Sequence, residues 1–386
     1  MRRNKRLKIY YILVSVTFVL LLAAGALLIT LSPEESYSKE EKRVLSTFQT
    51  PNGDTLLDGS WMSSVENAAG DQFPFRAVLM KAKTEAMRLL GDRESGGVYY
   101  LNDGSLAEKF TMPEQAATKA LTEEIVSFAE RNDESHTFVM IVPTAIEWKR
   151  DLLPDNAPTD SQAAYLEEIR ENLGTKVAFT DVRARFSGFS ADTLYYRTDH
   201  HLTTEGAKEV AKELLFSLGI EGEITARGGV VNESFLGSLA EKSGFTPKKS
   251  DALTIYRIEE NASADFYFTV YYPESQRLTA TVYEAEKITG ADPYEVFFGG
   301  NHSEIVIRTS AESDRDLLIV KDSYANAVIP FLIPFVRSIT VVDPRYYSGD
   351  IDLLTEENRF SDVIFLYNAN TLSTDRSLLT VLRNVQ

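Results

Sequence analysis

The sequence of 386 residues contains no cysteine, four histidines and two tryptophans. The absence of cysteine excludes disulfides, structural thiolate zinc sites, iron–sulfur clusters and cysteine nucleophiles. Basic residues are outnumbered, 40 against 57 acidic ones, which gives a formal charge of −17. A surface of this sign repels the phosphate backbone, so we expect no nucleic-acid partner. The apolar fraction of 44% is that of a globular protein and excludes a mainly disordered chain.

The one long apolar run lies near the N-terminus. Residues 9–31 carry no charge, and five basic residues precede them within Met1–Lys8. A helix over this run reaches roughly 35 Å, which is enough to cross a bilayer. The basic flank predicts a single-pass cell-membrane protein with a cytoplasmic N-terminus and an extracytoplasmic remainder, whose net charge is −22. A cleaved signal peptide is the alternative, although the run is longer than the apolar region of a signal peptide.

The rest of the chain divides by its patterns into two parts. Residues 32–95 combine a polar stretch with helical spacing that is interrupted at residues 71–76, and they predict a tether and a helical lead-in. From residue 96 to residue 386, short apolar strand patterns alternate with helical ones. The strand patterns include 137–142, 265–272 and 304–309, and the helical ones include 203–218 and a final helix that runs to Gln386. This alternation predicts an α/β domain with a mostly parallel sheet flanked by helices. The stretch at about 221–301 is β-rich with little helical periodicity, and it predicts an insertion.

Two of the four histidines follow an acid in the run Asp199-His200-His201, directly before a helix that Thr203 or Thr204 is expected to cap. A spacing of two residues lets the Asp199 carboxylate orient a ring nitrogen of His201, and we expect that carboxylate to raise the His201 pKa. A capped loop with solvated histidines is the alternative. Adjacent histidines point apart in an extended segment and no HExxH spacing exists, so we expect no metal and no other cofactor.

A candidate nucleophile follows the apolar strand pattern at residues 317–321, which runs directly into Asp322-Ser323 and then a helix. Active sites of open α/β sheets lie outside the carboxyl ends of the strands, and helix amides there can bind an oxyanion. A simple helix N-cap is the alternative for Ser323. In a third motif, Gly299-Gly300-Asn301-His302, the paired glycines allow the backbone to approach a ligand closely, and Asn301 offers an amide donor. The motif is equally compatible with a turn.

In their chain order, the motifs TDHHLTTEGA (198–207), FFGGNH (297–302), KDSY (321–324) and VDPRYY (342–347) resemble the bacterial DHHW family and the alginate O-acetyltransferases of the AlgX and AlgJ type. The resemblance implies an SGNH-hydrolase-like fold with a circularly permuted motif order, in which a D-x-H pair precedes the serine. Leu202 stands where the DHHW motif has tryptophan. The resemblance assigns Asp199, His201 and Ser323 to a catalytic triad. It assigns Gly300, Asn301 and Arg345 to an oxyanion- or substrate-binding set.

The function implied by the resemblance is that of an O-acetyltransferase or acetylesterase acting on a cell-surface polysaccharide. A transferase needs an acetyl donor delivered across the membrane, for which a multi-spanning membrane acyltransferase is the expected partner. The alternative is a non-catalytic surface protein that binds polysaccharide or scaffolds its assembly on an inherited fold.

Overall fold

The computed structural model describes residues 2–38, 43–226, 228–258 and 265–383, and it divides the chain into two compact units, Met1–Asp92 and Arg93–Gln386. Parts of four predicted segments lie outside the described residues. These parts are Met1 of the basic tip, 39–42 of the tether, 227 and 259–264 of the insertion, and 384–386 of the final helix.

The first unit begins with a long apolar helix, of which Lys8–Leu31 is long and apolar enough to cross a membrane. A short antiparallel pair and three further helices follow this segment. A break at Gln72–Phe75 separates the last two helices, as the interrupted pattern predicts. The elements are α1 (Arg2–Leu31), β1 (Tyr37–Ser38), β2 (Arg43–Val44), α2 (Gly53–Leu57), α3 (Ser60–Asp71) and α4 (Arg76–Leu89).

The second unit alternates strands and helices along most of its length. Its described strands are β3 (Glu94–Ser95), β4 (Val98–Tyr100), β5 (Leu106–Glu108), β6 (His136–Val142), β7 (Ala178–Thr180), β8 (Gly228–Phe235), β9 (Asp251–Tyr256), β10 (Phe268–Tyr272), β11 (Arg277–Thr279), β12 (Glu304–Thr309), β13 (Asp316–Lys321), β14 (Ser338–Val342) and β15 (Asp362–Asn368). Its described α-helices are α5 (Gln115–Arg131), α6 (Ala145–Trp148), α7 (Gln162–Leu173), α8 (Arg183–Phe186), α9 (Ala191–Leu194), α10 (Thr204–Ser217), α11 (Ser238–Ser243), α12 (Ala325–Leu332), α13 (Ile351–Asn358), α14 (Ala369–Thr374) and α15 (Ser377–Leu382).

The main sheet of this unit has eight strands in the order β11-β10-β12-β14-β13-β15-β6-β7. The five strands from β14 to β7 are parallel, whereas β10, β11 and β12 add antiparallel pairings at the other edge. The predicted α/β class is confirmed, and the parallel character holds for four of the seven pairings. The antiparallel edge includes β10 and β11 from the stretch at 221–301, while β8 and β9 of the same stretch form a separate pair.

Helices cover both faces of the parallel strands. The strand DLLIVK at β13 is buried almost throughout, as expected for a strand packed on two sides. Its residues alternate between two hydrophobic cores: Leu317 and Ile319 pack with α10 and α12, while Leu318 and Val320 pack with α5 and α7. This period of two follows from strand geometry. The parallel strands are thus buried on both faces, and the loops that follow β13, β14 and β15 lie at their carboxyl edge.

Candidate active site

Ser323 lies in the turn that joins β13 to α12, at the carboxyl edge of the parallel strands. Asp322 fixes this turn. One of its oxygens accepts the Tyr324 backbone N–H at 2.9 Å, and the other accepts the backbone and side-chain amides of Asn368 at 2.8 and 2.6 Å. Because Asn368 ends β15, the carboxylate ties the turn that carries Ser323 to the neighbouring strand. Asp322 is fully buried, and burial raises its pKa.

His201 lies against Ser323 although 122 residues separate them in sequence. Its Nε2 is 2.8 Å from the Ser323 hydroxyl oxygen, and its Nδ1 is 2.6 Å from Asp199 Oδ1. The same Asp199 oxygen accepts the His201 backbone N–H at 2.8 Å. Since a carboxylate only accepts, Nδ1 carries the ring proton and Nε2 faces the serine with its lone pair. The structure therefore brings these three predicted residues into one hydrogen-bonded chain.

A residue that the sequence did not indicate holds the other side of Asp199. Ser238, at the start of α11, donates its backbone N–H and its hydroxyl to Asp199 Oδ2 at 2.7 and 2.9 Å. A Cβ on Gly237 would lie 2.1 Å from the Asp199 Cβ, so only glycine fits there. A Gly-Ser pair before a helix is too common to indicate a site. The sequence therefore offered no signal for this contact.

Aromatic rings enclose the imidazole of His201. The Tyr294 ring stacks on it with centroids 3.6 Å apart and planes 7° apart, and the His200 ring lies 3.7 Å away on a tilt. His200 Nδ1 contacts the Ser238 hydroxyl at 2.6 Å, and the Tyr324 hydroxyl donates to the His200 carbonyl. The orientation of His201 is thus fixed by packing as well as by Asp199.

Burial determines the ionisation of this pair. Asp199 and His201 are 1% and 5% exposed. Desolvation lowers the pKa of His201 to about 4, with a further contribution from the charge of His200, and Asp199 only partly opposes the shift. Asp199 does favour the charged ring, as expected, but the expected net rise of the His201 pKa is wrong, because the cost of charging a buried ring exceeds this attraction. The pKa of Asp199 is lowered: burial opposes ionisation, but the two histidines and the hydrogen bonds from His201 and Ser238 outweigh it.

Of the other three predicted site residues, Asn301 and Arg345 belong to an adjoining polar network, and Gly300 directly precedes Asn301. Asn301 Oδ1 accepts from Lys321 Nζ and from Asn326 Nδ2, each at 3.0 Å. Lys321 is fully buried and also binds Asp343 at 3.0 Å. Arg345 binds the same carboxylate through Nε and Nη2 at 2.9 and 2.6 Å.

This network adjoins the start of α12 without a hydrogen bond to the Ser323 side chain. The Asn326 backbone N–H donates to the Ser323 carbonyl at 3.2 Å, so Asn301 is connected through Asn326 to the turn that carries Ser323. Gly300 has a φ of +114°, in the region that favours glycine. Neither Gly300 nor Arg345 has a hydrogen bond to Ser323 among the described residues, and their predicted roles in binding stay predictions.

A metal ion would compete with existing hydrogen bonds at this site. Asp199, His200 and His201 each present a ligand atom within 4.8 Å of the others. However, Nδ1 of each ring and both Asp199 oxygens are already paired within the chain of contacts described above. The geometry suits proton transfer better than coordination.

Comparisons with known proteins bear on the fold around this site. A family model described as the SGNH hydrolase-like domain of the acetyltransferase AlgX matches residues 100–242, a range that includes Asp199 and His201. The chain carries an SGNH-hydrolase-like domain. The predicted resemblance to this group of proteins is confirmed, whereas a search of curated protein sequences finds no significant match.

Solved structures of a DHHW family protein and of PatB1 share the fold at low sequence identity. A DHHW family protein from Eubacterium siraeum has a TM-score of 0.65 at 23% identity, over 75% of this chain and 96% of that one. Bacillus cereus PatB1, solved with a sulfonyl adduct, has a TM-score of 0.61 at 19% identity, over 74% and 97%. The O-acetyltransferase domain of Pseudomonas putida AlgJ has a TM-score of 0.44 at 16% identity, over 75% and 99%.

Leu202, which replaces the tryptophan of the DHHW motif, is fully buried in the hydrophobic core. Its backbone forms an isolated bridge with Tyr195. This side chain therefore has no exposed surface on which a sugar ring could stack.

Proposed function

We propose that this protein is a membrane-anchored acyl-transfer enzyme that moves acetyl groups onto or off a cell-surface polysaccharide. The observation that carries the proposal is the chain of hydrogen bonds from Ser323 through His201 to Asp199, with its serine at the carboxyl edge of a parallel sheet. Hydroxyl, imidazole and carboxylate in this order are the parts needed to activate a serine nucleophile. The match to an acetyltransferase family model supports acyl groups as the substrate class.

The proposed reaction proceeds through an acyl-enzyme. Ser323 Oγ attacks the carbonyl carbon of the acetyl ester while His201 Nε2 accepts the serine proton, and Asp199 stabilises the imidazolium. When the tetrahedral intermediate collapses, His201 gives the proton to the leaving alcohol. Water or a sugar hydroxyl then attacks the acyl carbon while His201 Nε2 accepts its proton. His201 returns this proton to Ser323 Oγ as the bond between Ser323 and the acyl group breaks, which releases acetate or a new ester. The backbone N–H of Ser323, together with Gly300 or Asn301, is the proposed oxyanion donor set, and Arg345 is a proposed substrate contact.

The proposed location follows from the N-terminal segment. Residues 9–31 form the membrane anchor, the basic tip stays in the cytoplasm and the α/β domain, proposed as residues 96–386, lies outside. An external acetyltransferase has no access to cytoplasmic acetyl donors, so a transferase requires a multi-spanning acyltransferase partner. A hydrolase requires none.

A serine-directed probe tests the proposal. We expect a fluorophosphonate to label the purified chain at Ser323, and labelling to disappear in Ser323→Ala and to persist in Ser187→Ala, which alters an exposed serine. The labelled peptide is identified by mass spectrometry, and hydrolysis of a chromogenic acetyl ester is measured in parallel. Full esterase activity in Ser323→Ala would overturn the assignment. Absence of both labelling and turnover in the unaltered chain would favour the non-catalytic scaffold.

A further inference from the structure

Helix α4 of the first unit exposes a continuous apolar face. Its members, the α4 apolar face, are Val78, Leu79, Ala82, Ala86 and Leu89, and their spacing of three and four residues places them on one stripe of the helix. All five are exposed, Val78 to 64% and Leu89 to 79%, and Phe75 directly before the helix is exposed to 74%. Contiguous apolar patches on a protein mark surfaces that are covered by a partner or by lipid.

Contacts within the same unit bring the start of α4 to the outer end of the candidate span. Gln72 donates to the Glu35 carbonyl at 2.8 Å and accepts the Glu35 backbone N–H at 3.0 Å, four residues beyond the end of α1. Phe73 lies 3.5 Å from the position that a Cβ would have on Gly25. Gly25 is six residues inside the end of α1, or roughly 9 Å along its axis. The break before α4 therefore packs against the part of α1 that would lie within the outer half of a bilayer.

The charge of α4 differs in sign from that of the whole chain. The helix contains Arg76, Lys81, Lys83 and Arg88 against the single acid Glu85, whereas the sequence has a formal charge of −17. On the helical wheel these four basic residues fall on both sides of the α4 apolar face. An apolar stripe flanked by basic residues is the pattern of helices that lie in the plane of a membrane interface.

We propose that α4 is a second membrane contact, an interfacial helix whose apolar face lies among the acyl chains and whose basic residues contact anionic headgroups. The inference rests on the proposed anchor, since the span is what brings α4 to the bilayer. Continuity with the span favours lipid over a protein partner: the face begins where Phe73 already contacts α1. The helix would fix the first unit against the membrane surface rather than leave it on a flexible tether.

The lack of cysteines allows a direct test on the full chain. Single cysteines are introduced as Leu79→Cys on the α4 apolar face, Lys81→Cys on the basic flank, turned about 160° around the helix from Leu79, and Leu20→Cys within the span. Each is labelled with an environment-sensitive fluorophore. The labelled chains are reconstituted into vesicles of phosphatidylcholine and phosphatidylglycerol. Quenching by nitroxide-bearing lipids reports contact with acyl chains, and quenching by iodide reports contact with water.

We expect the label at position 79 to be quenched several-fold more by the nitroxide lipids than the label at position 81, and to be shielded from iodide. Quenching of both labels by iodide to the same extent would show that α4 lies in water and would overturn the inference. Shielding of position 79 from both quenchers would assign the face to a protein contact and would also overturn it. Val78→Cys serves as a second probe of the face.

The label at position 20 separates this inference from the anchor on which it depends. Lipid quenching at position 20 without quenching at position 79 would leave the anchor intact and contradict the interfacial helix alone. Failure of lipid quenching at position 20 would contradict the anchor itself, and the interfacial helix with it.

Discussion

At the level of single residues, the imidazole of His201 is held between a carboxylate and a hydroxyl in a space largely closed to water. A base must be neutral to accept the Ser323 proton, and His201 is neutral above its pKa, which burial lowers to about 4. We therefore expect kcat/KM for a small acetyl ester to stay constant as the pH falls through the ordinary histidine value of ~6.5 and to decline only near the lowered value. A steady-state pH profile measures this. An acid limb at or above the ordinary histidine value would contradict it.

Ser238 lies outside the proposed triad and holds Asp199 in its orientation. Ser238→Ala removes the hydroxyl that binds Asp199 and His200 while keeping the backbone N–H bond. A hydrogen bond to a charged group contributes about 1.5 kcal/mol, so we expect kcat to fall about tenfold with KM unchanged. Steady-state kinetics are compared with those of Ser234→Ala, which alters an exposed serine four residues earlier. Equal kinetics in the two variants would show that the Ser238 hydroxyl does not orient Asp199.

Local sequence patterns allowed the main residues of the candidate site and the Asp199–His201 contact to be predicted, but not the approach of this pair to Ser323. The D-x-H spacing of Asp199 and His201 and the strand that ends at Ser323 were visible as patterns. That the two motifs meet depends on α10 and β13 packing together, which no local pattern specifies. Tyr294 and Ser238 were missed because a tyrosine and a serine carry no signal of their own. The pKa of His201 was misjudged because burial is a tertiary property.

At the level of elements, a buried ion pair joins the carboxyl ends of β13 and β14. Lys321 and Asp343 are both fully buried, and Asp343 is also bound by Arg345. In Asp343→Leu, Lys321 loses its carboxylate partner and stays buried. For a pair of this kind, we expect this loss to lower the free energy of unfolding by about 3–5 kcal/mol. In Lys321→Met the carboxylate keeps Arg345, so we expect a smaller loss.

Denaturant unfolding of the detergent-solubilised chain measures both free energies. The prediction is the order of the two variants, with Asp343→Leu the less stable. Equal destabilisation, or the reverse order, would show that Arg345 does not compensate the aspartate once the lysine is gone.

Most elements of the larger unit could be predicted from periodicity. The strand pattern at 137–142 became β6, and the helical pattern at 203–218 became α10. The final helix is instead two short helices, α14 and α15, because Asp375 ends the first and its side chain accepts the Ser377 backbone N–H. Periodicity identified the strands at 265–272 and 304–309 without identifying their partners. Their antiparallel pairing at the edge of the sheet was therefore not anticipated.

At the level of the whole molecule, buried ionisable groups determine how stability responds to acid. Because burial lowers the pKa of His201 in the folded state, the unfolded chain takes up this proton first as the pH falls below ~6.5. Hence the free energy of unfolding decreases down to about 4. The lowered pKa of Asp199 and of Asp343 extends the loss to lower pH, below the ordinary carboxyl value. Asp322, whose pKa is raised, acts in the opposite direction.

We expect His201→Gln to flatten the pH dependence between the ordinary histidine value and the lowered one, because glutamine does not titrate. Denaturant unfolding across this range measures the slope. His136→Gln is the control, since the side chain of His136 is 78% exposed. A slope unchanged in His201→Gln would mean that other groups set the response to acid.

Strand β15 has a position in the sheet that does not match its position in the chain. It is the last of the described strands, yet it lies between β13 and β6, and the residue pair Asp362–His136 spans most of the domain. Before β15 is synthesised, the strand that separates two sets of earlier strands is missing from the sheet. One set is β6 and β7, and the other is β13 and β14. Pairings this distant in sequence slow folding and leave unpaired strand edges exposed in the meantime. A chain that is synthesised from its N-terminus consequently completes this sheet late, and the facing edges of β6 and β13 stay unpaired until the last strand is made.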